Sequence, residues 1–149
     1  MPDLKRFLEA QEDVYATALE ELQQGYKQTH WMWFIFPQLQ VLGRSRMALH
    51  YGIAGLAEAK AYLAHPVLGP RLIECTQAML MHGNQSAHTI LGQIDALKLR
   101  SCLTLFGRAA PSAAVFAQAL EQFFAGQVDL LTTQFLDAES QSLGLNGGA

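Results

Sequence analysis

Apolar side chains recur along this chain at the three- and four-residue spacing of helices that bury one face, and no stretch shows the sustained alternation of a half-buried strand. Asp3 is placed to cap a short first helix carrying Leu4, Phe7 and Leu8. Asp13 is placed to cap a second, in which Val14, Ala18, Leu19 and Leu22 fall at helical spacing and Gly25 supplies the stop. Trp31 to Phe36 is an apolar run closed by Pro37. Its periodicity fits a strand or a helical turn equally, and the lack of a partner strand elsewhere favours the turn.

Ser45 is well placed as the cap of a helix through Met47, Leu49 and Tyr51, disturbed at Gly52 and Gly55. The helix resumes as LAEAKAYLAH until Pro66, which disfavours helical geometry at His65. Pro70 suits the first position of the next helix, RLIECTQAMLMH, which stops at Gly83. Ser86 is placed to cap a short turn, and IDALKLRSCLTLFGRAA predicts a helix that ends before Pro111. Ser112 is placed to cap AAVFAQALEQFFA, with Phe116, Leu120, Phe123 and Phe124 as its apolar stripe and Gly126 as its stop. Asp129 is placed to cap a last short helix, DLLTTQFL. The pattern predicts an all-α fold: a single compact, orthogonal helical domain of about seven helices over residues 1–140, with a frayed tail at 141–149.

Composition narrows the function classes. Half of the 149 residues are hydrophobic and 15% are charged, which suits a folded core. The net charge is −3, and the ten basic residues are spread along the chain, so no basic patch for nucleic acid is expected. Cys75 and Cys102 have no CxxC spacing and read as small buried hydrophobes. The first residues, MPDLKRFLEAQED, are too charged for a signal peptide, and no apolar run reaches the ~18 residues of a membrane span. The expectation is a cytoplasmic protein without a membrane partner. His30, His50, His65, His82 and His88 lack the spacing of a zinc site, so no metal is expected. No phosphate loop, dinucleotide fingerprint or nucleophile elbow is present, and no cofactor is expected.

Several residues carry candidate chemistry. Gly43-Arg44-Ser45 opens a helix, where exposed N–H groups, the helix dipole and an Arg fork together suit an anion. The competing reading is an ordinary capped helix with a solvated Arg. Gly69-Pro70-Arg71 repeats the arrangement, and the two starts would converge on one phosphate-bearing ligand or pair with nearby acids. Trp31 and Trp33 lie two apart on a turn and do not share a face, so one can be buried while the other meets a cleft. His30 and Gln38 bracket that run with polar groups. Asp95, Lys98, Ser101 and Thr104 fall at steps of three and form a polar ridge. The ridge reads as a helix-surface ion pair, or as a site in which Asp95 acts as acid or base.

The ordered set HWMWFIFPQL, LGRS, Tyr51 with Ala59 and Tyr62-Leu63, HPVLGPRL, and DALKLRSCLTLF resembles a bacterial all-helical family of unknown function whose members are often labelled calpastatin. The resemblance runs from DLKRF to Phe123-Phe124 and implies a small all-α domain with no established activity. Cys102-Leu103 departs from the small residue and methionine expected there, which is a variation of the core. A fainter likeness links HYGIAGLAEAKAYLAHP, GPR and the Asp-x-x-Lys helix to NADAR-type helical domains, which process ADP-ribose-type groups by cleaving an N-glycosidic bond. Leu49 stands where those domains carry a Glu, so the likeness implies a ligand class and not the activity.

The combined expectation is a cleft for a small phosphorylated or nucleotide-like ligand, lined by His30, Trp31, Trp33, Gln38, Arg44, Ser45, His50, Tyr51, Arg71 and Lys98. Arg44, Arg71 and Lys98 would neutralise phosphate, a Trp would stack a base, and Asp95 would be the catalytic candidate. Three other readings stay open at this point. One is a non-catalytic interaction module that uses HWMWFIFPQ as its partner patch, another is N-glycosidase-like processing of ADP-ribose-type groups, and the last is a simple structural domain.

Overall fold

The computed structural model describes residues 3–146, with side chains through residue 142. Ten α-helices and one 3-10 turn follow in order among the described residues. They are α1 (Lys5–Glu12), α2 (Tyr15–Gln24), α3 (Met32–Ile35), the 3-10 turn (Gln40–Leu42), α4 (Arg46–Tyr51), α5 (Leu56–Ala64), α6 (Leu68–Leu80), α7 (Ala87–Leu91), α8 (Gln93–Ala109), α9 (Ala114–Phe124) and α10 (Leu130–Asn146). The all-α expectation holds. The count of about seven was low because α3, α4 and α7 span four to six residues each, too short for a periodic pattern to reveal.

Three of the expected caps form as read: Ser45 Oγ accepts from the Ala48 amide at 3.1 Å, Ser86 Oγ from Thr89 at 3.0 Å, and Asp129 Oδ2 from Thr132 at 3.0 Å. Asp3 stands one place before the N-cap Leu4, and its Oδ1 accepts from the Lys5 amide at 3.0 Å. Each satisfies one orphan amide of a first turn. Gly25 closes α2 at φ 81°, the left-handed conformation that glycine adopts without a steric penalty. Four boundaries differ. Neither α2 nor α9 receives a side-chain cap, so Asp13 and Ser112 do not serve as read. Pro70 is the third residue of α6, because His65 Nδ1 accepts from the amides of Val67 and Leu68 at 3.1 and 3.3 Å and starts the helix earlier. The last helix continues to Asn146, through most of the expected tail; residues 147–149 lie outside the described residues.

The core centres on α8, whose Leu99, Cys102, Leu103, Leu105 and Phe106 are fully buried against α5, α7, α9 and α10. Rings link the layers. Phe7 meets Tyr62 edge-on at 5.1 Å, Tyr62 meets Phe106 at 5.4 Å, and Phe106 meets Phe116 at 6.0 Å. Trp31, Met32, Phe34, Ile35 and Phe36 also enter this core. A parallel bridge, in which Gln40 N–H donates to Ile53 C=O and Ile53 N–H to Gln38 C=O, ties the following loop to the segment before α5. No helix among the described residues is long and apolar enough to cross a membrane.

The α5–α6 corner depends on Gly69. A Cβ at this position would lie 2.1 Å from the Leu63 carbonyl oxygen, a backbone atom that cannot rotate away. Gly69→Ala is expected to force the two helices apart and destabilise the fold by about 1–3 kcal/mol. Each kcal/mol lowers the melting temperature by roughly 2–4 °C at this chain length. Thermal melts of the two proteins check this, and coincident curves would show that the corner is slack.

Candidate functional site

Glu21, on the last turns of α2, is buried, with 6% of its surface exposed. Its Oε1 accepts from the Gln28 amide at 2.8 Å, the Thr29 amide at 3.0 Å and Trp31 Nε1 at 2.9 Å, and its Oε2 accepts from Thr29 Oγ1 at 2.7 Å. Burial alone would raise its pKa. The donors of Gln28, Thr29 and Trp31 outweigh that and hold it down at about 2. Gly25 turns the chain out of α2, and the Lys27 amide donates to the Ile90 carbonyl at 2.8 Å. Residues 27–31 are therefore pinned on one side by α2 and on the other by α7.

That pinned segment forms one wall of a hollow of about 490 Å³ lined by Lys27, His30, Leu91, Gly92, Gln93, Ile94, Asp95 and Lys98. Asp95 joins the walls: its Oδ2 lies 3.1 Å from Lys27 Nζ and its Oδ1 lies 3.2 Å from Lys98 Nζ. The Lys27 side chain is only 9% exposed, and those of Lys98 and Asp95 are 19% and 18% exposed. Each ammonium also faces a tryptophan ring, Lys27 at 5.2 Å from that of Trp31 and Lys98 at 3.7 Å from that of Trp33. The hollow's floor is the start of α8, which opens on Gly92 at φ 93° without a side-chain cap. A Cβ on Gly92 would touch nothing, so the glycine serves the backbone turn alone. Asp95 sits in the first turn of α8, where its charge suits the helix dipole.

The structure thus brings together His30, Asp95 and Lys98 from the expected set, with Trp33 behind Lys98. The other residues lie elsewhere. Trp31 is 1% exposed and cannot stack on a ligand. Arg44 borders a separate hollow of about 420 Å³ with Val41, Leu42, Leu131, Gln134 and Phe135. Ser45 spends its oxygen capping the six-residue α4. Arg71 donates to Gln11 Oε1 at 3.3 Å and stacks over Tyr15 at 4.5 Å, so its guanidinium serves packing. Tyr51 packs between the rings of Phe7 and Phe34, and His50 rests edge-on against it. Gln38 contributes its backbone carbonyl to the bridge with Ile53. HWMWFIFPQ is mainly core rather than an exposed patch for a partner, because five of its six central residues are buried.

Asp95 also changes character. Both of its oxygens hold an ammonium group, which makes it the residue that holds two lysines together rather than an unengaged acid or base. Sequence reasoning missed Lys27, Glu21 and Gly92. Lys27 lies in an aperiodic stretch, and its place opposite Asp95 depends on the tertiary path of the chain. The signal for Gly92 was its position directly before a first turn bearing Asp95. Burial lifts the Cys75 thiol to about 12 and raises that of Cys102 as well, so neither sulfur is poised as a nucleophile. No cluster of three or more potential metal-ligating His, Cys, Asp or Glu side chains occurs among the described residues.

A family described as a protein of unknown function (DUF1810) matches residues 1–136. The chain belongs to that family. It is also similar to the conserved hypothetical protein Rv1873 from Mycobacterium tuberculosis, known from a crystal structure, with 47% sequence identity and a TM-score of 0.89. That match covers 91% of this chain and 96% of the mycobacterial one. No curated protein matches the chain.

In this DUF1810 member, acid should loosen the wall of the hollow through Glu21. A carboxyl whose folded pKa is depressed stabilises the fold above its unfolded value, here near 4.5, and loses that contribution as pH falls toward about 2. The contribution at neutral pH is about 3 kcal/mol. Glu21→Gln should therefore be less stable than wild type at pH 7, and the two should converge as the pH approaches 2. Denaturant melts across pH 2–7 check this, and a constant gap between the curves would overturn it.

Proposed function

We propose that this DUF1810 protein binds a small anionic ligand in the hollow between the start of α8 and residues 27–30. The observation that carries the reading is the Lys27–Asp95–Lys98 arrangement on its wall. Two ammonium groups share one carboxylate, so the trio keeps one positive charge in excess. Buried charges are normally balanced by partners, and an excess beside a hollow suits an anion arriving from solvent. His30 adds a polar ring to the lining, and Leu91 and Ile94 supply apolar surface for the body of a ligand. The volume lies within the range of about 300–1,000 Å³ typical of small-molecule sites.

The same geometry favours recognition through the anion over recognition through a base. Trp31 is enclosed, and the Lys98 ammonium occupies a face of Trp33. A phosphorylated or nucleotide-like ligand would be held here by its phosphate. Asp95 is the carboxylate in the lining and is already engaged by both lysines, which favours binding over N-glycosidase-like chemistry.

A ligand that binds only the folded state stabilises it by ~2.7 kcal/mol at a hundredfold excess over its dissociation constant. Thermal melts with inorganic phosphate and a panel of phosphorylated metabolites should show such an upward shift. Lys98→Gln should remove most of it, whereas Arg44→Ala should leave it intact, because Arg44 lines another hollow. Loss of the shift in Arg44→Ala with retention in Lys98→Gln would move the site away from α8.

A further inference from the structure

Resting on the reading of this hollow as an anion site, we infer that its ligand carries a terminal, doubly charged phosphate, and that Asp95 is a built-in counter-ion which this phosphate relieves. Asp95 places one oxygen on each lysine, an arrangement that two oxygens of a phosphate can also make. Lys27 cannot follow a ligand outward, since its side chain is nine-tenths buried. Lys98 is steadied by the ring of Trp33 beneath its ammonium. The anion must therefore come to two cations already in place. An ammonium has three donors; Lys98 gives one to Asp95 and Lys27 pairs with the same carboxylate at 3.1 Å, so neither lysine's donors are all committed to it.

Charge then sets the class. Beside the two ammonium groups that face the hollow, a dianion gains about twice the Coulomb energy of a monoanion of the same shape. The hollow is open to water, which limits the extra cost of stripping the dianion. A phosphomonoester is thus preferred to a phosphodiester. The carboxylate of Asp95 repels the same ligand it makes room for. Removing its charge tightens binding, and tightens it more for the dianion.

A terminal phosphate is common to sugar phosphates and nucleoside monophosphates, and the experiment separates them. At pH 8, where a phosphomonoester is fully ionised, phenyl phosphate should bind about tenfold more tightly than methyl phenyl phosphate, measured by calorimetry on the wild-type protein. Ribose 5-phosphate and adenosine 5′-monophosphate should raise the melting temperature equally, since Trp31 is enclosed and the Lys98 ammonium occupies a face of Trp33. In Asp95→Asn, phenyl phosphate should raise the melting temperature further than in wild type. Equal or tighter binding of the diester, a response to the nucleotide alone, or a smaller shift in Asp95→Asn would each overturn the inference while leaving a Lys98-dependent anion site standing. Absence of any Lys98-dependent shift would remove the anion reading and this inference with it. If Asp95→Asn fails to fold, the two phenyl esters decide the question on the wild-type protein.

Discussion

One buried carboxylate holds the wall of the hollow in place. Glu21 gathers four hydrogen bonds from Gln28, Thr29 and Trp31, so a stretch with no regular secondary structure is tied to the end of α2. Without it, four donors from three residues would lose their acceptor, and each group left buried and unsatisfied costs about 1–3 kcal/mol. The consequence reaches past Glu21. Trp31 is drawn into the core by its indole N–H, Lys27 is set over the Trp31 ring, and His30 is left at the rim. A helical element in this position would have satisfied its own amides and had no need of a carboxylate beneath it.

The lysine pair follows from the same constraint. A Lys that is nine-tenths buried needs a partner, and Asp95 is supplied from the first turn of α8, the end at which the helix dipole favours a negative charge. Buried ion pairs add little net stability compared with an apolar filling, because desolvation offsets most of the attraction. Lys27, Asp95 and Lys98 are therefore a poor means of stabilising this corner, since Leu or Met would do as well. Their presence beside a hollow is what the proposed anion site would call for.

What the chain revealed in advance was whatever depends on neighbours in sequence. The caps at Ser45, Ser86 and Asp129 and the stop at Gly25 are decided within a turn, and each was legible. The start of α6 was not, because its cap is an imidazole, His65, outside the usual set of Ser, Thr, Asp and Asn. In the site, Asp95 and Lys98 could be paired from their spacing of three, and His30 from its place before the tryptophans. Lys27 could not be, because it is brought to Asp95 from a position 68 residues earlier by the packing of α2 on α6 and of α7 on α8. Arg44 and Arg71 matched the local signature of an anion site, and that signature carries no information about where two helix starts sit relative to each other.

The fate of the arginines explains why the signature misled. Arg71 meets Gln11, which is 1% exposed and also donates to the Phe34 carbonyl at 2.7 Å and to Tyr62 Oη at 3.1 Å. Arg6 donates to the carbonyls of Asp3, His50 and Gly52 and to the carboxylate of Glu58. A planar guanidinium with five fixed donors is suited to joining several backbone segments at once, and here it fastens the ends of α4 and α5 to α1. Its hydrogen bonds are consumed by that task. Lysine has a compact charge and cannot bridge carbonyls in this way, yet in the hollow two of them share one acid and retain donors to spare. In this fold Arg6 and Arg71 are engaged in structure, whereas Lys27 and Lys98 are the cations that line the hollow proposed for an anion.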